Sequence, residues 1–397
     1  MSGLWYRFLC QALTRLYYRR VTVIRPERLP ATGPALLVAL HRNGAVDGYV
    51  YLRVFPRATF MISAQLRKSV IGRLFFAGVE VVRDKDDGDG AANSAALATC
   101  LALLRGGGAL CVMPEGTSDL GPRHLPFKPG AARLLREYLA SHGPPIRVIP
   151  LGLHYERAWA FQSDVEVVVG EPVSTDLPAN LDARQQIELL QRRITRALEQ
   201  VGVNFRSAEE QAAMERSAYA ATLGSRRRYF SALKALESGP PETVWPVHLA
   251  AVPRGLLRHQ GVPLMPIDRA PLYALALLLA APFVLAAIVV NAPAVLGGYL
   301  AARKFADARN VITLWRLLVG APLLALWAVA LVVVGACRGH PAWALAYLAL
   351  TWIGLRLFYR VKKLAVAVYN WVFHASCRTE LLKLHATLHA ALPDDRL

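Results

Sequence analysis

Three stretches in the last third of the chain carry almost no charge, and a chain that contains them has few places to put them. Residues 272–302 and 317–337 hold no Asp, Glu, Lys or Arg, and residues 341–359 are broken only by Arg356. About 20 helical residues cross the hydrocarbon core of a bilayer, and buried helices of soluble proteins rarely run so long without charge. The pattern predicts membrane segments over 270–363. The first, 272–302, is read as broken or re-entrant because Pro282, Asn291, Pro293, Gly297 and Gly298 interrupt it. The other two, 317–337 and 341–359, form a hairpin, with Arg356 near enough to an end to snorkel. Arg303, Lys304, Arg309 and Arg316 precede the second run, and Arg356, Arg360, Lys362 and Lys363 close the third. The excess of basic residues on cytoplasmic loops places both clusters there and the 337–341 turn on the far side.

With 54% hydrophobic and 19% charged residues, the chain is not a disordered, collagen-like or coiled-coil protein. A net charge of +18 suits an anionic lipid surface, a phosphorylated substrate or nucleic acid. Cys10, Cys100, Cys111, Cys337 and Cys377 make an odd set without Cys-x-x-Cys spacing, which reads as buried small apolar residues in a reducing compartment. At the N-terminus, Leu4, Trp5, Phe8, Leu9, Leu13, Leu16 and Tyr17 recur with helical period among Arg7, Arg15, Arg19 and Arg20. Residues 1–20 are expected to form an interfacial amphipathic helix, aromatics and Arg together suiting the headgroup boundary; packing on its own domain is the alternative.

From residue 21 to about 180, β-rich runs alternate with helical patterns, which predicts an α/β domain with a mixed sheet flanked by helices. The expected strands are 35–40, 58–63, 79–83, 109–113, 146–155 and 165–169, and helices fit 91–104 and 130–141. Near-continuous apolar strands imply a sheet covered on both faces. Residues 181–245 form a helical appendix, with Ile187, Leu190, Ile194, Ala197, Leu198 and Val201 on one stripe, and 364–397 form a C-terminal helical tail.

Reactive groups in α/β domains gather where strands end. After the strand at 35–40 come His41 and Asp47. Six positions apart, they do not share a helix face, so they meet across a turn, for which Gly44 gives backbone freedom. Asp47 would then fix the imidazole tautomer, leaving the other ring nitrogen to take a proton from a hydroxyl; local capping by the same two residues is the plainer reading of the pair alone. After the strand at 109–113 come Glu115, Gly116 and Thr117, and Lys128-Pro129-Gly130 precede a helix whose N-terminus attracts anions. This fits a phosphate cradle or a capped strand-to-helix loop.

Combined, these stretches resemble the lysophospholipid acyltransferase family, which includes glycerol-3-phosphate and 1-acylglycerol-3-phosphate acyltransferases, over about residues 20–175. Four blocks stand in the family's order. The first, ordinarily His-x4-Asp, reads His41-Arg-Asn-Gly-Ala-Val-Asp47, similar to a His-x5-Asp branch. The second covers residues 72–83, with Phe75, Phe76, Gly78 and Arg83. The third, ordinarily Phe-Pro-Glu-Gly-Thr-Arg, reads Met113-Pro-Glu-Gly-Thr-Ser118, followed by Phe127-Lys128-Pro129-Gly130. The fourth is Val148-Ile149-Pro150-Leu151-Gly152.

The resemblance implies transfer of a fatty acyl group from acyl-coenzyme A or acyl carrier protein to a hydroxyl of glycerol-3-phosphate or a lysophospholipid such as 1-acylglycerol-3-phosphate, in phospholipid biosynthesis. It implies His41 as general base, Asp47 as its orienting partner, and acceptor binding by Arg83, Glu115, Gly116 and Thr117, with Arg83 neutralising the acceptor's phosphate. Ser118 stands where the family carries Arg. Phosphate binding then leans on Arg123 or Lys128, or the acceptor is a different lyso-lipid or alcohol. A noncatalytic lipid-binding scaffold is the reading from another class.

Acyl transfer from a thioester asks only for deprotonation, alignment and oxyanion stabilisation, so no metal or redox cofactor is expected. His385 and His389 share an exposed helix face rather than a zinc site, and no Gly-x-Ser-x-Gly elbow or Walker loop is present. The dispersed basic charge fits membrane attachment better than nucleic acid. The expected setting is a bacterial inner membrane, with the catalytic domain facing the cytoplasm.

Overall fold

The computed structural model describes residues 3–81, 90–222, 229–238 and 270–392, in two compact units. Arg83, residues 239–269 at the end of the appendix and residues 393–397 of the tail lie outside the described residues.

The first unit comprises Met1–Arg15, Val21–His154 and Val165–Val203. Its frame is a seven-stranded mixed sheet of β1 (Arg20–Ile24), β2 (Ala35–Ala39), β3 (Ala58–Ser63), β4 (Val79–Val81), β5 (Ala109–Val112), β6 (Arg147–Tyr155) and β7 (Asp164–Val169). The spatial order is β1-β7-β6-β2-β5-β3-β4. β2 runs parallel to β5 and β6, and β3 parallel to β4 and β5, while Val148 and Val173 bridge antiparallel. All five residues of β2 are buried, as befits a central apolar strand with helices over both faces.

The helices of this unit are α1 (Gly3–Tyr17), α2 (Val46–Val54), α3 (Val70–Phe75), α4 (Gly90–Arg105), α5 (Gly130–Ala140) and α6 (Ala183–Val201). A capping box between Asp182 and Gln185 starts α6, which buries Leu190, Ile194, Leu198 and Val201, most of the predicted stripe. One expectation at the N-terminus needs correction. The helix ends at Tyr17, and Arg20 opens β1, a strand the sequence reading missed although Val21-Thr-Val-Ile24 is β-branched throughout. Moreover, α1 is packed on one side, where Cys10, Leu13 and Tyr17 are buried, and leaves Leu4, Trp5 and Phe8 exposed.

The second unit comprises Leu16–Arg20, Tyr155–Asp164 and Asn204–Leu397. Its helices are α7 (Ala208–Thr222), α8 (Tyr229–Ser238), α9 (Ala270–Val290), α10 (Ala292–Phe305), α11 (Ile312–Trp315), α12 (Ala321–Cys337), α13 (Pro341–Phe373) and α14 (Arg378–Ala391), with a π-helical turn at Arg316–Gly320 joining α11 to α12. Three stretches, Pro271–Val290, Arg309–Cys337 and Pro341–Phe373, are long and apolar enough to cross a membrane. Leu278, Leu326 and Leu345 are about 70% exposed on them, a surface that fits membrane association.

Pro282 does not interrupt the first run; it sits inside α9, and the break falls at Asn291. There the Asn291 Nδ2 donates to Ala287 O at 2.9 Å and to Thr351 Oγ1 at 3.0 Å, and its Oδ1 accepts from Tyr347 OH at 2.7 Å. Trp327 Nε1 donates to Val290 O at 2.7 Å. Backbone and side-chain groups freed by the break are thus satisfied internally, as a bilayer requires. The third run does not stop at Tyr359, since α13 continues through Arg360, Lys362 and Lys363 to Phe373, these being good helix formers. Gly354 lets α13 approach α9 closely: a Cβ there would lie 2.1 Å from the Cβ of Ala287.

Candidate active site

Parallel register explains how the motifs meet. Val38 of β2 stands beside Val112 of β5; three residues past each come His41 and Glu115, so both emerge together at the carboxyl ends of neighbouring strands. The backbone N–H of His41 donates to Glu115 Oε1 at 2.8 Å, and the N–H of Leu125 donates to Glu115 Oε2 at 3.2 Å. Glu115 is buried. Burial raises its pKa above the ordinary carboxylate value, the two backbone donors and the charges of Arg42 and His41 opposing this only in part.

His41 and Asp47 face each other across the turn between β2 and α2. Asp47 Oδ2 lies 2.9 Å from His41 Nδ1 and also accepts from the backbone N–H of Arg42 at 2.6 Å and of Asn43 at 2.8 Å. The carboxylate is fully buried, whereas 17% of the imidazole is exposed. Asp47 lies in the first turn of α2, where a negative charge suits the helix dipole. One turn later, Tyr51 OH donates to Leu40 O at 2.9 Å, fastening α2 to the end of β2. Tyr49, on the same helix, donates to Phe75 O at 2.8 Å and stacks on Phe76, which joins the second sequence block to the first.

The loop from β5 to α5 is tied back to this turn at several points. Asp119 N donates to His41 O at 3.3 Å, and Arg42 Nη2 donates to Gly121 O at 3.0 Å. Gly116 adopts φ +71, the left-handed region, and its N–H closes a tight turn on Met113 O at 3.0 Å. The Lys128 stem runs alongside, 3.5 Å from where a Gly116 Cβ would stand, and Lys128 N donates to Pro114 O at 2.9 Å. Gln191 of α6 donates to Phe127 O at 2.7 Å. Arg123 lies exposed between the two tied points Gly121 and Leu125, and Thr117 and Lys128 are exposed as well.

The structure therefore brings His41, Asp47, Glu115, Gly116 and Lys128 into one constellation, with Thr117 and Arg123 on its loop. Both oxygens of Glu115 accept from backbone donors. Sequence reasoning missed the carboxylate-binding N–H groups of Arg42 and Asn43, the Tyr51 fastening and the Gln191 brace. Cys10, Cys100 and Cys111 are buried free thiols; burial pushes Cys10 up to about 12 and Cys100 to about 11, so these are protonated at neutral pH. Among the described residues, no three His, Cys, Asp or Glu converge as a metal site.

Comparison with known proteins bears on the same region. The 1-acyl-sn-glycerophosphate (LPA) acyltransferase PlsC from Thermotoga maritima is a similar solved structure, at 20% identity and a TM-score of 0.35, over 49% of this chain and 77% of that one. Comparison with curated proteins gives no match. The family model described as Acyltransferase matches residues 20–154. That match spans the His41–Asp47 turn, the Glu115 loop and the strands that hold them, so residues 20–154 are similar to an acyltransferase domain.

Proposed function

We propose that this acyltransferase moves a fatty acyl group from acyl-coenzyme A or acyl carrier protein to a hydroxyl of glycerol-3-phosphate or of a lysophospholipid such as 1-acylglycerol-3-phosphate, in phospholipid biosynthesis. The observation that carries the reading is the 2.9 Å contact between His41 Nδ1 and the buried Asp47 carboxylate, which leaves Nε2 for substrate. In this reading Nε2 accepts the alcohol proton as the hydroxyl oxygen attacks the thioester carbonyl. The tetrahedral intermediate then collapses, the carbon–sulfur bond breaks, and the imidazolium returns the proton to the departing thiolate. Positioned general-base catalysis of this kind supplies about 10²- to 10⁴-fold, and an activated thioester needs no further cofactor.

Glu115 acts here as a positioning residue, since it fixes the backbone of His41 and the loop. Lys128 and Arg123, with Gly116 and Thr117, receive the acceptor's phosphate, together with Arg83, whose role rests on the sequence resemblance alone. The apolar helices of the second unit anchor the chain in the membrane, with the catalytic domain on the cytoplasmic face of a bacterial inner membrane. Ser118, in place of the family Arg, favours as second reading an acceptor other than a simple phosphomonoester.

The test is an acceptor screen with labelled acyl thioester in membranes carrying this chain or its His41→Ala variant. Transfer to glycerol-3-phosphate or 1-acylglycerol-3-phosphate, lost in the variant, is the expected result. Transfer to another lyso-lipid alone moves the acceptor assignment, and undiminished turnover of a folded His41→Ala chain removes His41 as the base.

A further inference from the structure

The second unit holds a half-open cavity of about 510 Å³ among its apolar helices, within the range of about 300–1,000 Å³ typical of ligand pockets. Two of its walls have the same plan. On α13, Thr351, Gly354, Leu355, Phe358 and Lys362 line it at helical spacing, a stripe about 16 Å long. On the opposing helix of the hairpin and the π-turn before it, Arg316, Leu317, Gly320, Ala321 and Leu324 line it. Because α12 and α13 run in opposite directions through a tight turn, Arg316 at the start of one and Lys362 late in the other fall at the same end. Arg157 and Trp159, from the 155–164 segment, join them there.

Two cations at this end have no carboxylate partner among the described residues. Glu156 pairs with Lys363, and Asp164 with Arg19 and Arg20, so the carboxylates of the 155–164 segment are already engaged. Arg316 spends Nη1 on Trp159 O at 2.8 Å and Tyr17 OH at 3.4 Å; among the described residues neither it nor Lys362 pairs with a carboxylate. Cations within apolar segments are costly and mark binding sites whose partner supplies the missing charge. The π-helical turn that presents Arg316, Leu317 and Gly320 to the cavity is also a feature that concentrates at functional sites.

We infer that this cavity binds an anionic phospholipid drawn from the bilayer, with its phosphate on Arg157, Arg316 and Lys362 and an acyl chain along the α12–α13 stripes. The apolar stripes select a lipid over a free anion, and the cationic end selects an anionic headgroup over a zwitterionic one. The residues of this site belong to the second unit, those of the His41 chemistry to the first.

The test uses the full chain reconstituted in phosphatidylcholine vesicles with one part in about ten of phosphatidic acid carrying a photoactivatable acyl chain, a dose that keeps the surface mildly anionic. Crosslinks should map to residues 284–298, 317–324 and 351–358. Lys362→Glu should lower labelling about tenfold, the loss of a charge-assisted contact and its reversal, and Leu324→Trp should block it by filling the cavity. Lys362→Gln gives an intermediate loss and covers the case in which the reversal misfolds. Photoactivatable phosphatidylcholine labelling as strongly, no loss in the Lys362 and Leu324 variants, or displacement of the probe by millimolar inorganic phosphate would each overturn the inference. Labelling of the His41→Ala chain should be unchanged, which separates this result from failure of the catalytic reading.

Discussion

Asp47→Asn separates a carboxylate that merely holds a turn from one that supports proton transfer. Asp47 Oδ2 takes three donors, His41 Nδ1 and the backbone N–H groups of Arg42 and Asn43, all at 2.9 Å or less and fully buried. An Asn of the same shape still offers one oxygen to the two backbone donors, so the turn survives with weaker bonds. The expected stability cost is about 1–3 kcal/mol, the difference between charge-assisted and neutral hydrogen bonds in a buried setting. The catalytic cost is separate. Without the carboxylate, nothing holds the proton on Nδ1 or balances the imidazolium that forms when Nε2 takes the alcohol proton, and kcat should fall about 10²- to 10⁴-fold. Because Asp47 touches no substrate, KM for donor and acceptor should stay within about threefold. The assay is thiol release from acyl thioester by the reconstituted chain, with thermal unfolding followed in parallel. In a cycle with His41→Ala, the double variant should be no slower than His41→Ala alone, since residues that act as a unit are not additive. A folded Asp47→Asn chain within threefold of the parent, or multiplicative losses in the cycle, refutes the reasoning.

Three further perturbations probe the rest of the structure. Burial raises the Glu115 carboxyl above its unfolded value, so its contribution to stability is complete below about pH 4.3 and is lost as pH rises through the raised folded value; thermal unfolding across this window should show the decline, and Glu115→Gln should flatten it, whereas an unchanged slope rules the assignment out. Asn291→Leu removes the partners of Tyr347 and Thr351 and should destabilise the membrane unit by about 0.6–2 kcal/mol per lost bond, read by unfolding in detergent; a variant as stable as the parent contradicts the role given to this residue. Cys337, exposed at the hairpin turn, should react with an impermeant maleimide from the side opposite to a single cysteine introduced at Asp307 in a Cys337-free chain; labelling from the same side overturns the hairpin topology.

The strands that position the site were legible because they are buried on both faces, and continuous apolar runs such as Ala35–Ala39 and Ala109–Val112 have no other stable use in an α/β sheet. β1 was not, because it is only five residues long and follows within three residues of the end of α1. Helix ends proved harder still: the basic residues after Tyr359 end the apolar run but not α13, which continues to Phe373. At the site, His41 and Asp47 were readable as a pair since only five residues lie between them. The Glu115 contacts depend on His41 and Leu125, 74 and 10 positions away, and only the β2–β5 register brings the first of these into reach. A carboxylate beside a glycine after a strand looks like a ligand in sequence; in the fold the same carboxylate also accepts from two backbone N–H groups.

The extra residue between His41 and Asp47 is explained by what anchors each end. His41 follows a strand whose terminus is held by Leu40 N donating to Leu151 O at 3.0 Å and by the Glu115 contact. Asp47 is carried by α2, itself fastened through Tyr51 to Leu40 O. Between these anchors the chain only has to reverse, and Gly44, at φ 58, does so in the left-handed region that suits glycine, with Asp47 N closing the turn on Gly44 O at 3.1 Å. The N–H groups of Arg42 and Asn43 converge on the same oxygen that meets the imidazole, so the turn is wrapped around the carboxylate, and an added residue lengthens the approach to α2 without moving the oxygen. Motif spacing measures loop length, whereas the 2.9 Å contact depends on the two anchors. The longer spacing is consequently no sign of lost chemistry, and the noncatalytic scaffold reading that rested on it has no support in the geometry.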